Sequence, residues 1–326
     1  MSGAVARAGS VVPEPLLEPL RLRVAAALER RQRRSGTVRG AAVVFHAVAP
    51  TRGNPDLEVD PALEVERLDQ IVGYLARRYQ LVHASDLPGA ARARRPGQRV
   101  PIAFTFDDDL PSHREFAAPV FARRGVPATA FLCEAEVPFW WQLLQAAIDE
   151  RSITPATLPD VSECLVEDAM DRRPRAIARL AKAIEELPAR SRDTIAAALD
   201  AAVSSKPALL DVDGAAVLVQ AGWELGFHTR RHDLLTTLEL EGVRAAVERR
   251  PSRATGDLPR ALAYPHGKAG PREAQAAREA GYAAAFTGYA SVLTEGADDH
   301  LIGRLQPPTS SVGRFAVRLA RALVAD

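Results

Sequence analysis

Lysine is almost missing from this chain. Lys182, Lys206 and Lys268 are the only lysines among 42 basic residues, so arginine carries nearly all the positive charge. With so much alanine beside it, this reads as the coding bias of a GC-rich genome rather than a binding adaptation. The 41 acidic residues leave a formal net charge of +1, and no global field argues for nucleic acid as a partner. Cysteine is scarce too: Cys133 and Cys164 are too few for a disulfide framework, and a reduced, cytoplasmic protein is the expectation. No apolar run approaches the ~18 residues needed to span a bilayer. Charges interrupt the N-terminal stretch throughout, so it has no leader-like apolar centre. Residues Leu16 to Arg34 form a basic amphipathic stretch. It suits a helix packed on the outside of the domain, or a weak contact with a membrane surface.

What is present is ordinary globular composition, 47% hydrophobic and 25% charged over 326 residues, enough for one large α/β domain or two smaller ones. Residues 1–13 read as a loose terminus, followed by a helix over 14–34. Apolar runs at 41–46, 100–106, 127–132, 223–227, 261–264, 283–287 and 301–304 read as buried strands. Amphipathic helical patterns separate most of them, including 61–79, with Asp60 as its expected N-cap, and 112–124, closed by Gly125. Regular alternation of strand and helix implies a parallel sheet. The block from Phe139 to Val203 is instead helical throughout and is broken at Pro155, Pro159, Pro174 and Pro188.

Two strand ends carry chemistry. The run Val100 to Phe106 stops abruptly at Asp107-Asp108-Asp109, and Trp223 to Phe227 runs straight into His228-Thr229-Arg230-Arg231-His232. Adjacent carboxylates repel one another, so a cation is expected among them. Histidines spaced i, i+4 lie on one face of a helical turn, within reach of one metal. One carboxylate with two imidazoles leaves a coordination position for water, and a second, non-ligating carboxylate can act as general base. Asp109, just ahead of a helix, is better explained by the helix dipole. Tyr264-Pro265-His266-Gly267 forms a tight loop after another strand, whose N–H groups could meet an oxyanion. His46 ends a further strand. Trp140-Trp141, with Phe139, read first as packing between helices and second as a platform for a sugar ring.

Thr105-Phe106-Asp107-Asp108-Asp109 resembles the T-F-D-D-G motif of the polysaccharide deacetylases, the NodB-homology or carbohydrate esterase family 4. His228 to His232 resembles their H-[ST]-x-x-H motif. Leu262 to Gly267 is similar to an F-A-Y-P-Y-G variant of their third motif, and Val43 to Val48 to an early L-M-Y-H-x-V strand. The resemblance implies a distorted (β/α) barrel of about seven parallel strands and a metal-dependent deacetylase acting on an acetylated carbohydrate. It implies Asp107 as general base and Asp108, His228 and His232 as ligands of a divalent metal, usually Zn2+. It also implies substrate contacts from the Tyr264-Pro265 segment. The chain departs from the pattern in three ways. Asp109 stands where the family has Gly, and Ala263 where many members have an Arg that orients the base. No late motif supplies the acidic His, leaving His46, His266 and His300 as substitutes.

The expected organisation is therefore an N-terminal extension over 1–40 and a barrel over 41–326 with a helical insertion at 139–205. Two other readings stay open. Asp107-Asp108-Asp109 is also a D-x-D pattern of a metal-dependent glycosyltransferase, although no glycine-rich phosphate loop precedes it. A catalytically silent carbohydrate-binding barrel would also accommodate the departures.

Overall fold

The structure is a computed structural model and describes residues 14–308 and 311–325. The loose terminus expected over 1–13 lies outside the described residues. Nine strands form the main sheet: β1 (Arg39–Phe45), β2 (Gln80–Val82), β3 (Pro101–Asp107), β4 (Thr129–Leu132), β5 (Glu224–Phe227), β6 (Ala261–Ala263), β7 (Ala284–Phe286), β8 (Leu293–Thr294) and β9 (Arg304–Leu305). Seven follow one path in the order β8-β1-β3-β4-β5-β6-β7, with β2 on β3 and β9 on β1. All pairs are parallel except β1 with β8. The sheet curls strongly into a distorted barrel. The segment around residues 302–305 spans its open side: Ile302 bridges to Phe286 of β7, while Arg304 pairs with Ala42 of β1.

The strands read as continuous apolar runs because both faces are covered. Every residue of β1 and β3 is buried. Around them pack α1 (Glu14–Arg34), α2 (Val65–Arg78), α3 (Leu87–Ala93) and α4 (Ala118–Arg124). Gly125 ends α4 in a left-handed conformation, φ 58°, as its place in the sequence predicts. A π-helical turn, His113–Ala117, leads into α4. The helix expected over 61–79 begins later. Leu63 and Glu64 first pair as a short strand with Val48 and Ala49, so Glu64 rather than Asp60 precedes α2. Asp60 is thereby left to face the strand ends.

The helical block comprises α5 (Trp140–Asp149), α6 (Glu163–Met170), α7 (Ala176–Glu185) and α8 (Ala189–Ala202). All four prolines fall between these helices, where a missing N–H costs no helical hydrogen bond. Leu144, Ile177, Leu180, Ile195 and Leu199 are fully buried in a core of its own. Four further helices, α9 (Val212–Gln220), α10 (Leu240–Val247), α11 (Pro271–Glu279) and α12 (Val312–Val324), complete the layer around the sheet. α1 and α12 are tied together at one end, where Glu18 accepts hydrogen bonds from Ser311 Oγ (2.5 Å) and the Gly313 N–H (2.8 Å).

Candidate metal centre and catalytic cavity

The C-terminal ends of β1, β3, β5 and β6 open into a cavity of about 670 Å³. Parallel strands place their terminal side chains at one rim, which is why motifs far apart in sequence meet there. The chain leaves β3 at Asp108 with φ 71°, a left-handed turn unusual for a residue bearing a Cβ. That turn separates the three acids. Asp107 and Asp108 face the cavity. Asp109 points away, its carboxylate accepting from the N–H groups of Cys133 (2.9 Å) and Ala135 (2.7 Å). Burial pushes the Asp109 carboxyl up to about 7, against those two hydrogen bonds. Asp109 is thus neither a helix-dipole residue nor a wall of the site; it fastens the strand end to the loop after β4.

His228 and His232 do not sit on a helical turn, contrary to the reading of their i, i+4 spacing. They belong to an irregular loop after β5, bent by positive φ at Thr229 (58°) and His232 (50°). The bend still brings the rings together, with centroids 4.8 Å apart. One ligand atom from each of Asp108, His228 and His232 falls within 4.8 Å of the others. His228 Nδ1 lies 2.8 Å from the carbonyl of Ala263, a contact that requires a proton on Nδ1 and leaves the Nε2 lone pair toward the site. The nearest Asp108 oxygen, Oδ1, is 3.6 Å from that Nε2 and 3.3 Å from His232 Nε2; it is buried and has no hydrogen-bond partner among the described residues. Burial drives the His228 imidazolium down to about 4 and lowers His232 as well, so both rings are neutral near pH 7. Burial also opposes the charge on Asp108, but the two histidines outweigh it and hold its carboxyl well below the usual range. Two neutral imidazoles and an unsatisfied buried carboxylate are the donor set of a divalent cation, and the residues present fit one.

Asp107 is held differently. Arg304, delivered by β9, grips both its oxygens at 2.6 Å. Both side chains are buried, and the guanidinium also donates to the Thr287 carbonyl. Burial again works against the carboxylate, but Arg304 first and His228 next keep its pKa below the ordinary value. Arg304 was missing from the sequence reading. Its signal was an arginine inside the apolar run around 301–305, which a buried partner must balance.

His46, at the end of β1, brings Nε2 to 3.9 Å from Asp107 Oδ2. Burial opposes its protonation, yet the field of Asp60, Asp107 and Asp108 raises its pKa. His266 also lines the cavity, its ring 4.7 Å from that of His232, with Nε2 buried and without a hydrogen-bond partner among the described residues. Its Nδ1 contacts Glu185 of α7 at 3.2 Å, and that hydrogen bond, with Lys268 adding to it, draws Glu185 down to about 2. His300 is outside the cavity, bonded through Nε2 to the Tyr282 carbonyl. Tyr264 and Pro265 are buried; the Tyr264 hydroxyl donates to the His300 carbonyl, so its ring serves the core, and neither residue lines the cavity, which the chain reaches at His266 and Gly267. Of the N–H groups that follow, those of Gly267 and Lys268 donate back within the turn. Trp140 and Trp141 line the cavity, and the Trp141 ring lies 4.5 Å from that of His232 and stacks on Phe139. The helical block therefore forms one wall.

The turn holding His266 depends on glycine. Gly267 has φ 64°, and a Cβ there would meet the backbone N and Cα of Gly288 at 2.5 Å. Gly267→Ala is expected to destabilise the protein by about 2–5 kcal/mol, read by urea denaturation, from left-handed strain plus overpacking.

Residues 197–285, which include both histidines and Tyr264 but not the three acids, match the family model described as "Polysaccharide deacetylase". No curated protein sequence matches the chain. Among solved structures, the fold is similar to that of the Streptococcus pyogenes deacetylase PplD in complex with acetate. The TM-score is 0.58 at 12% identity, covering 89% of this chain and 100% of that one. IcaB from Ammonifex degensii gives 0.53 at 19% identity, covering 89% and 99%. A polysaccharide deacetylase from Bacillus cereus gives 0.52 at 15% identity, covering 86% and 69%. At these identities the likeness to solved structures is one of fold.

Proposed function

We propose, for a chain whose residues 197–285 match the polysaccharide deacetylase family model and whose fold is similar to that of solved deacetylases, the metal-dependent removal of an acetyl group from an N-acetylated sugar or glycan intermediate. The observation that carries this reading is the convergence of Asp108, His228 and His232 on one point beside a buried, ionised Asp107. A divalent cation held there, which we take to be zinc, would supply Lewis acidity toward the acetyl carbonyl and the attacking water. Asp107 takes the proton from that water, and Arg304 keeps it charged and fixes its orientation. His46 and His266 both line the cavity and are the candidates to protonate the departing amine. Trp140 and Trp141 offer apolar faces to a sugar ring. The cytoplasmic location expected from composition is kept as part of the proposal and is checked by cell fractionation.

The turned-away Asp109 disfavours a glycosyltransferase. The first and third carboxylates of the D-x-D pattern do not face one ligand, while the two histidines stand beside the second. A silent carbohydrate-binding barrel differs from an enzyme in turnover alone.

The test combines elemental analysis of the purified protein with acetate release from small and polymeric N-acetylated sugars. The proposal expects about one divalent metal per chain and measurable acetate. His228→Ala is expected to lose both, since removing one of three ligands leaves too few for a stable site. Bound metal with no acetate from any acetylated sugar would favour the silent barrel; no metal at all would end the hydrolase reading.

A further inference from the structure

We infer that the face formed by α1 and α12 is a docking surface for an anionic phospholipid bilayer, set beside the mouth of the cavity. A groove of about 480 Å³ runs between the two helices. Leu20, Val24 and Val317 provide apolar side chains, and Arg318 and Arg321 add positive charge. Among the described residues that line it there is no carboxylate. Leu20 is 59% exposed and Val24 38%, although each is a large apolar side chain. Apolar side chains beside arginines on one helical face are the pattern of a helix that lies in a lipid interface. The net charge of the whole chain is only +1, so this is a local patch and not a consequence of a basic protein.

Charge complementarity selects the occupant. Lipid phosphates match the arginines and acyl chains match the leucine and valines, whereas a nucleic acid would leave the apolar side chains unused. No described helix is long and apolar enough to cross a membrane, so contact is by adsorption. The decisive link is Arg318, which lines both this groove and the catalytic cavity, where its Nη2 donates to the carbonyl of Gln306, another cavity residue. A bilayer on this face lies next to the cavity mouth. It thereby favours substrates presented at a lipid surface over those free in solution.

The inference concerns a surface separate from the metal centre, and vesicle binding reads it without turnover. The full chain would be sedimented with phosphatidylcholine vesicles, and with the same vesicles containing phosphatidylglycerol. Preferential binding to the anionic vesicles is expected. Arg318→Glu and Arg321→Glu should each weaken it by about fivefold or more. Leu20→Ser combined with Val24→Ser should weaken the binding that survives added salt, since the apolar contribution is not screened. Asp107→Asn should bind vesicles like the wild type, so a failed deacetylase reading and a failed docking reading give different results. Equal binding to both vesicle types, no binding, or binding unchanged in all the surface variants would overturn the inference. So would heparin binding as tight as vesicle binding and insensitive to the Leu20 and Val24 changes.

Discussion

Asp107→Asn is expected to lower acetate release by about 10²–10⁴-fold while metal content stays near wild type. The separation of the two readouts follows from the geometry. Asp107 is not one of the three side chains that converge as ligands, yet it lines the same cavity and its Oδ2 stands 3.9 Å from both His46 Nε2 and His228 Nε2. An amide keeps the shape and removes the proton acceptor. It also turns one N–H pair toward the Arg304 guanidinium, which held both oxygens, so a modest loss of stability accompanies the loss of activity. Full activity in the asparagine variant would assign the base elsewhere.

Arg304→Met is expected to be the most damaging single change away from the ligands, costing about 3–5 kcal/mol in urea denaturation. It leaves a buried carboxylate without its counter-charge, and it strips the donor that satisfies the Thr287 carbonyl. Activity should change in a way that simple unfolding does not. Asp107 has a depressed pKa in the folded protein, so its contribution to stability is present above the unfolded carboxylate value and is lost as pH falls through the folded one. Without Arg304 the desolvation of Asp107 is less opposed and its pKa rises. The acidic limb of the pH–rate profile should therefore move to higher pH in the folded fraction of the variant. A limb that stays in place would show that Arg304 supports only the barrel. Arg304→Lys should restore part of the stability but little of the orientation, because an ammonium cannot grip two oxygens in one plane.

Much of this site was legible because its chemistry is written in contiguous motifs. The acids and imidazoles each follow an apolar run, and a buried parallel strand has one exposed end at which to place them. The strand and helix alternation was legible for the same reason, with boundaries shifted by a few residues. What could not be read depended on tertiary context. The left-handed turn at Asp108 decides which acids face inward, and nothing in three consecutive aspartates announces it. The loop at Thr229 and His232 achieves with two unusual backbone angles what a helix would have done by periodicity. Arg304 sits in a strand of two residues, too short for any pattern, in a chain where arginine is the default base. That Trp140 and Trp141 line the cavity follows only from where the helical block packs, which the sequence pattern does not give.

The bridging position of β9 has a consequence for how the protein becomes competent during synthesis. The acids and both imidazoles are in place within the first 232 residues, but the guanidinium that neutralises Asp107 comes from position 304, on the segment that also joins β7 to β1. Until that segment has emerged, a nascent chain can neither close the sheet nor pair Asp107 with its guanidinium, and the carboxylate stays open to water. Ring closure and the arming of the carboxylate are one event, and a truncated product lacking that strand would be left with neither.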